Sequence, residues 1–483
     1  MKMSIKYEPV IGLEVHIQLN TKTKMFCGCS NLANDNEPNS VVCPVCFGMP
    51  GTLPVTNKQA VFKTLLFARA VGAKISDNWN FERKNYFYPD LPKGYQITSS
   101  TNPPALGGEI RVAAGQDGGQ FSVALHHLHL EEDAGKLLHG KGGYSFVDLN
   151  RCGTPLIEMV TEPVIKTPTE AKLMLKELQI LVRHLGVSDA DMEKGHMRCD
   201  ANVSLRSVGE MKLGKKVEVK NLNSFRMVER ALNHEISRQE LLLEKGEEIV
   251  QETRGWDDAK GVTLSQRNKE DSQDYRYMPD PDLPPICRLI VEEFSDENLK
   301  KQMPELPQVI SSRLQSDFSL TVTQANQCVG DINFQELVVG VLTKVTKDNE
   351  TAKSLLFGDL LRIVNEKGLL FSDLKLTSDD LIEIVKLKDD GKITQQLIKT
   401  NLESLMTGKI TIIDLKKHGE ISTAVDIDAI VKEVLLQSIK AVEQYKAGDV
   451  KVLGFLVGQA MAKSKGVANP QIVNEKLKSH LDQ

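Results

Sequence analysis

Four thiols crowd into one short stretch: Cys27-x-Cys29, thirteen residues, then Cys43-x-x-Cys46. Four thiolates complete a tetrahedral zinc shell, and a shell filled by sulfur leaves no position for water, so such a site is structural. The first pair is tighter than the usual zinc-ligand gap, and four reduced thiols in a loop are the alternative. Cys152, Cys199, Cys287 and Cys328 are scattered and read as isolated thiols. In a reducing compartment the cluster fits a metal better than disulfides.

Oxygen ligands form a second set. Glu14 and His16 share one face of an alternating segment whose other face carries Ile11, Leu13, Val15, Ile17 and Leu19. Glu131-Glu132-Asp133 closes a second apolar segment, and Glu158 follows Arg151-Cys-Gly-Thr-Pro-Leu-Ile. Carboxylates with one imidazole suit Mg²⁺, which keeps water and substrate phosphates in its remaining positions. Spacing alone does not make these segments converge, and a solvated strand face with surface acids is the plainer alternative. Arg83-Lys84-Asn85-Tyr86, Lys93-Gly94-Tyr95-Gln96 and Glu218-Val219-Lys220-Asn221 mix cations, aromatics and amides in a way that suits phosphate and base contacts, and also ordinary surface. Gly135 to Gly142 matches a Walker loop up to its last position. There Gly142 replaces the hydroxyl residue that binds Mg²⁺, and the segment reads as a hairpin, so a P-loop is rejected.

The elements that must position these groups can be read in outline. Val10 to Leu19, Phe121 to Leu130 and Tyr144 to Leu149 read as strands, the last two as a hairpin across Gly140, Gly142 and Gly143. A helix opens at Thr167 with Pro168 at its first position and Glu170 after the cap, carries Ala171, Met174, Leu175, Leu178, Val182 and Leu185 on one side, and stops at Gly186. A second runs from about Ser224 to Lys245 and stops at Gly246. Strands and helices without strict βαβ alternation predict an α+β domain. Pro279, Pro281, Pro284 and Pro285 mark a domain boundary or a rigid connector, and beyond them the pattern is helical, with one helix opening at Thr377. The last stretch carries apolar helical stripes from Ile427 to Val442, from Leu453 to Met461 after an Asp449 cap, and from Ile472 to Leu477 after Asn469-Pro470. Seven lysines (440, 446, 451, 463, 465, 476 and 478) face only Glu443, Asp449 and Glu475 there.

The whole chain has 483 residues, 41% apolar and 26% charged, with a net charge of −5. These values exclude collagen-like and wholly disordered chains, and argue against coating nucleic acid by bulk positive potential while allowing a local basic face. No apolar run approaches the ~20 residues of a membrane span. Lys2, Lys6 and Glu8 stand where a signal peptide would need an apolar core, so the expected location is cytoplasmic.

Several longer motifs resemble one family. They are Ile11-Gly-Leu-Glu-Val-His16, Arg83-Lys-Asn-Tyr-Phe-Tyr-Pro-Asp90, His129-Leu-Glu-Glu-Asp-Ala-Gly-Lys136 and Val147-Asp-Leu-Asn-Arg-Cys-Gly-Thr-Pro-Leu-Ile-Glu158. Arg198-Cys-Asp-Ala-Asn-Val-Ser204, Lys220-Asn-Leu-Asn-Ser-Phe225, Asp274-Tyr-Arg-Tyr-Met-Pro-Asp280 and Gly454-Phe-Leu-Val-Gly-Gln459 extend the match toward the C-terminus. All resemble the B subunits of aspartyl/glutamyl-tRNA(Asn/Gln) amidotransferases, the GatB/GatE family. The resemblance implies an α+β cradle (kinase/transamidase) domain over residues 1–292, an all-α helical domain over 293–408 and a small all-α YqeY-like tail over 409–483. It implies a carbon–nitrogen ligase that uses ATP and Mg²⁺ to activate the side-chain carboxylate of misacylated Glu-tRNA(Gln), Asp-tRNA(Asn) or both. Its metal positions fall on Glu14, His16, Glu132 and Glu158, with Asp200 beside them, and Lys84 and Lys220 are expected at phosphate. The cysteines match a zinc loop found in some members. Ammonia would come from an A subunit, tied to this one by a C subunit, since Ser99-Ser100 and Ser311-Ser312 lack the Gly/Ser-rich setting of an amidase nucleophile. The tail would hold the tRNA body.

Two other functions compete with a ligase. A non-catalytic tRNA-binding scaffold would present the charged end to a partner. A free metal-dependent hydrolase would act without tRNA, which the basic tail disfavours.

Overall fold

The computed structural model describes residues 7–482 except 32–35, 115–118, 141, 269–273, 346–349, 424–426, 447–448, 450 and 465–469. Lys2, Lys6, Lys465 and Asn469, and the Lys141 of the rejected Walker match, lie outside the described residues. The chain divides into two compact units, Met1–Val309 and Ile310–Gln483.

The first unit is built on one mixed sheet of 13 strands. Its main path uses β1 (Tyr7–Gln18), β2 (Glu82–Asn85), β3 (Tyr95–Thr98), β4 (Gly119–Glu132), β5 (Pro155–Thr161), β6 (Met197–Ser207), β7 (Val217–Leu222), β8 (Glu252–Asp257), β9 (Val262–Asn268) and β10 (Met278–Pro279). In space the order is β9-β8-β7-β6-β1-β5-β4-β3-β2-β10, antiparallel except where β7 meets β8. β1 therefore lies inside the sheet with a partner on each side. Its apolar residues Leu13, Val15 and Ile17 join Ile157, Met159, Ala201 and Val203 in the core. Helices α1 (Lys58–Ala70), α2 (Pro168–His184) and α3 (Phe225–Glu244) supply the rest of that core, including Leu65, Leu175, Leu178, Val228 and Leu232.

Helix ends follow local chemistry. Thr167 accepts the Glu170 N–H at 3.1 Å, Glu170 accepts the Lys166 N–H at 2.8 Å, and Pro168 loses nothing in the first turn. Ser224 caps α3 by accepting the Met227 N–H at 3.2 Å. Past α2 and α3 the chain turns through Gly186 at φ 63° and Gly246 at φ 76°, a conformation that favours residues without Cβ.

Two expectations change in the structure. The strand after the glycines, Ser145–Asp148, pairs with Lys136–His139, not with the earlier apolar strand, which pairs instead with β5. The chain bends between them at Gly135, where a Cβ would lie 2.9 Å from the Asp148 carbonyl and 3.0 Å from that of Asp90. The proline-rich stretch is held to the first unit: Ile286–Cys287 pairs with Asn78–Trp79, and Asp280 takes the Arg83 guanidinium at 2.8 Å. Phe294 and Leu299 enter the same core, and the compact unit runs on to Val309.

The second unit is helical among the described residues. Thr377 caps Ser378–Asp389 by accepting the Asp380 N–H at 3.2 Å. The stripe expected from Ile427 to Val442 is split into Ile427–Gln437 and Ile439–Lys446, and Val452–Lys463 and Pro470–Leu481 follow. Val431, Val434, Leu456, Val473 and Leu477 form a separate small core.

Burial of Glu177 on α2 raises its carboxyl to about 7. The unfolded carboxyl ionises near its ordinary value while the folded one holds its proton, so stability falls as pH rises from about 4.5 to 7. Glu177→Gln removes that loss: the melting temperature at pH 8 should rise by about 2–4 °C and stay unchanged at pH 4.5.

Candidate active site

Alternation along β1 puts Gly12, Glu14, His16 and Gln18 on the face opposite the core. Antiparallel register sets His16 across from Glu158 on β5 and Arg198 on β6, and Glu14 across from Asp200 on β6. Glu158 lies across from His129 on β4. The His16 Nε2 is 3.1 Å from a Glu158 oxygen and 3.5 Å from a Glu131 oxygen. The His129 Nε2 is 3.4 Å and 3.8 Å from the same two carboxylates. His16, Glu131 and Glu158 thus offer three ligand atoms within 4.8 Å of one another. One imidazole and two carboxylates at that separation suit a hard divalent cation with open positions for phosphate oxygen and water.

Charge on this face is arranged in opposition. Burial disfavours a charged His16, but hydrogen bonding and charge from Glu158 outweigh it and raise its pKa. Burial likewise works against a charged His129, yet Glu158 and Glu131 lift it to about 10. His127 stacks on His129, with Nε2 3.0 Å from Nδ1; burial and its imidazole neighbours push it down to about 4. Glu158 would be raised by burial, and His129 and His16 hold it well below the usual carboxylate range. Glu14 is raised, first by burial and then by the charges of Glu158, Glu218 and Asp200. An added cation would relieve that repulsion.

Two lysines flank the carboxylates. The Lys84 Nζ sits 4.9 Å from the Tyr275 ring centroid, and Glu131 leads the charges that raise its pKa against burial. Asn85 donates to the Arg276 carbonyl at 2.8 Å, which ties β2 to the Asp274–Asp280 motif. Lys220 on β7 reaches Asp200 at 2.6 Å and Glu218 at 3.1 Å, and these raise its pKa although burial opposes it.

Glu132 is placed differently from the expected metal set. Neighbouring strand residues point to opposite faces, so Glu131 meets His16 while Glu132 turns away. The Glu132 carboxylate pairs with Lys93, accepts the Ile97 N–H at 3.0 Å, and lines a cavity of about 220 Å³ beside Cys27, Cys46 and Tyr95. Glu14, His16 and Glu158 share the other face, with Glu131 in place of Glu132. Reading the motifs singly missed His127, His129, Gln18 and Arg198; continuing the alternation from His129 to Glu131 would have found two of them.

The four cysteine sulfurs also lie within 4.8 Å of one another, with Cys46 4.0 Å from Cys29 and 3.9 Å from Cys43. A tetrahedron with metal–sulfur bonds of about 2.3 Å has edges of about 3.8 Å, so the donor set fits zinc. A hydrogen bond from Cys27 and the charge of Lys24 lower the Cys46 thiol. Lys24 is fully buried, with its Nζ 3.6 Å from the Cys46 sulfur and 2.8 Å from the Val41 carbonyl. A buried ammonium requires nearby negative charge, which thiolates supply.

Residues 9–293 match the family described as the GatB/GatE catalytic domain, and residues 338–481 match the GatB domain. The first unit is thus a catalytic domain of that type, followed by a helical module of the same proteins. The B subunit of an aspartyl/glutamyl-tRNA(Asn/Gln) amidotransferase from Persephonella marina is 44% identical over 480 residues, covering 99% of this chain and 100% of the relative. The protein of the same description from Thermotoga maritima is 42% identical over 486 residues, with 99% and 100% covered. The chain belongs to the family of aspartyl/glutamyl-tRNA(Asn/Gln) amidotransferase B subunits.

Asp133, just beyond β4, fastens the strands of this face together. It accepts Arg198 at 2.6 Å and Gln18 at 3.1 Å, with Arg151 at 3.5 Å. Burial would raise its carboxyl, and Arg198 and Arg151 hold it below the usual range. Asp133→Ala should cost about 2 kcal/mol in urea unfolding at pH 7, because Arg198 loses its partner while keeping some solvent. The difference should shrink as pH falls below the ordinary carboxylate range, where the wild-type group also loses its charge.

Proposed function

We propose that this chain is the ATP-dependent ligase component that amidates misacylated Glu-tRNA(Gln), Asp-tRNA(Asn) or both. The convergence of His16, Glu131 and Glu158 on one sheet face carries this reading. A side-chain carboxylate resists ammonia because it is already anionic and has no competent leaving group. Its oxygen attacks the γ-phosphorus of ATP, forming an acyl phosphate and releasing ADP. Ammonia then attacks the acyl carbon, phosphate leaves with the proton that nitrogen gives up, and the amide remains. Both steps are dominated by positioning and charge neutralisation.

His16, Glu131 and Glu158, with Glu14 and Asp200 along the same face, would hold Mg²⁺, which neutralises phosphate charge and orients its oxygens. Lys84 and Lys220 offer fixed positive charge for phosphate at two places on that face. Asp133 and Arg198 fasten neighbouring strand ends beside the reacting groups. Ser99 and Ser311, whose hydroxyls are bonded to the Leu130 carbonyl and to Asn326, are poor amidase nucleophiles. An A subunit supplies the ammonia from glutamine, and a C subunit holds the assembly. Within this chain, residues 1–292 carry the chemistry, 293–408 form the helical domain, and the lysine-rich tail at 409–483 grips the tRNA body by backbone and shape. The cytoplasm is the proposed location; no helix among the described residues is long and apolar enough to cross a membrane.

A non-catalytic scaffold would behave differently. In the assembled complex supplied with Glu-tRNA(Gln), ATP and ammonium, Glu131→Gln and Glu158→Gln should each lower acyl-phosphate formation about 10²-fold or more. Binding of tRNA by filter assay should hardly change. A scaffold would keep wild-type turnover in both variants.

Zinc in the cysteine cluster is proposed as structural. Metal analysis should find one zinc per chain, and Cys46→Ala should remove it and lower the melting temperature. Because all four ligands are sulfur, kcat of the complex that remains folded should stay near wild type.

A further inference from the structure

A cavity of about 450 Å³ in the first unit shares no residue with the carboxylate face. The turn after α1, the strand Glu109–Ala114, α2 and the strap at 306–308 enclose it. Its walls are fastened to one another. The Glu109 N–H donates to the Val71 carbonyl at 2.9 Å, the His184 ring meets the Glu305 carbonyl at 2.7 Å, and Gln308 donates to the Arg111 carbonyl at 2.8 Å. Val71 and Ile110 are buried, and Leu181 and Leu306 pack against the core, so the cavity has an apolar side.

Four charged side chains line this space, and one of them is unmatched. Arg69 pairs with Asp296 at 3.0 Å, and Arg111 pairs with Glu109 at 2.6 Å. Glu177, half-buried on α2, has neither a hydrogen bond nor an ion pair among the described residues. Burial alone raises its carboxyl, so neither guanidinium is close enough to offset it. A carboxylate with little water and no partner is costly, and a bound cation would remove that cost. We propose that the cavity binds a free small organic monocation, an alkylammonium or alkylguanidinium, with its charge at Glu177 and its stem along Leu181 and Leu306. The unmatched group is an anion, so the missing partner is a cation. Hydrocarbon beside it suits an apolar stem better than a metal ion, which would need further oxygen ligands. Size separates a free ligand from a side chain: small-molecule pockets span ~300–1,000 Å³, and this cavity is larger than one lysine or arginine side chain fills.

Calorimetric titration of the full chain at pH 8, where the carboxyl is ionised, tests this with n-pentylammonium and n-pentylguanidinium at matched ionic strength. Both should bind saturably, and Glu177→Gln should weaken each by about tenfold or more, the worth of a charge-assisted hydrogen bond. n-Pentanol and valerate, of the same length, should bind wild type about tenfold more weakly than the amine. Leu181→Trp, which keeps the carboxyl and fills the apolar side, should also block the amine; if it fails to fold, Glu177→Gln decides. No saturable binding by wild type, or equal binding by wild type and Glu177→Gln, would overturn the proposal. So would tighter binding of valerate, which would make this an anion site of Arg69 and Arg111. In the assembled complex the amine should still bind. Its loss there would overturn a free ligand, and weaker assembly of Glu177→Gln would then assign the cavity to a basic side chain of a partner subunit.

Discussion

The register of β1 between β5 and β6 is the constraint on which the site depends. His16 stands across from Glu158 only because Val15 and Ile17 are drawn to the other face, into a core shared with Ile157, Met159 and Ala201. A slip of one residue would bury Glu14 and His16 and expose that apolar set, exchanging every contact on both sides of the strand. Hydrophobic burial of about 1.5–3 kcal/mol for each large side chain therefore fixes the position of the polar groups. Asp133 adds a second lock through Arg198 and Gln18, at the end where the carboxylates gather.

Such a face is unfavourable to assemble and consequently informative. Glu14 feels the charges of Glu158, Glu218 and Asp200, Glu131 and Glu158 converge on His16, and charge compensation comes from two imidazoles and two lysines. Buried charges of this density add little net stability even when paired. Their concentration on one side of a sheet whose other side is uniformly apolar is a functional arrangement more than a structural one. Lys24 beside the four sulfurs obeys the same rule on a smaller scale, since an ammonium with no water needs anionic neighbours.

Much of this was legible in the chain. The caps at Thr167, Ser224 and Thr377 follow from hydroxyl side chains followed by helical periodicity, and all three accept the backbone N–H three residues on. Alternation along β1 gave the shared face of Glu14 and His16. The pairing of distant strands was not legible, because no local pattern states that β5 and β6 flank β1. Glu131 and Glu132 are chemically identical neighbours, so composition could not separate them; only the phase of the strand does, and it turns Glu132 toward Lys93. The hairpin partner of Ser145–Asp148 was missed because the bend at Gly135 depends on crowding by the Asp148 and Asp90 carbonyls, which belong to other segments. The stripe from Ile427 to Val442 reads as one helix because it continues through the break at Ser438.

The two halves of the acidic pair join otherwise separate chemistries. Glu131 belongs to the carboxylate face, and Glu132, one peptide away, lines the cavity beside the cysteine cluster. β4 cannot shift or twist at this point without moving both, because Glu132 is fastened to the Ile97 N–H as well as to Lys93.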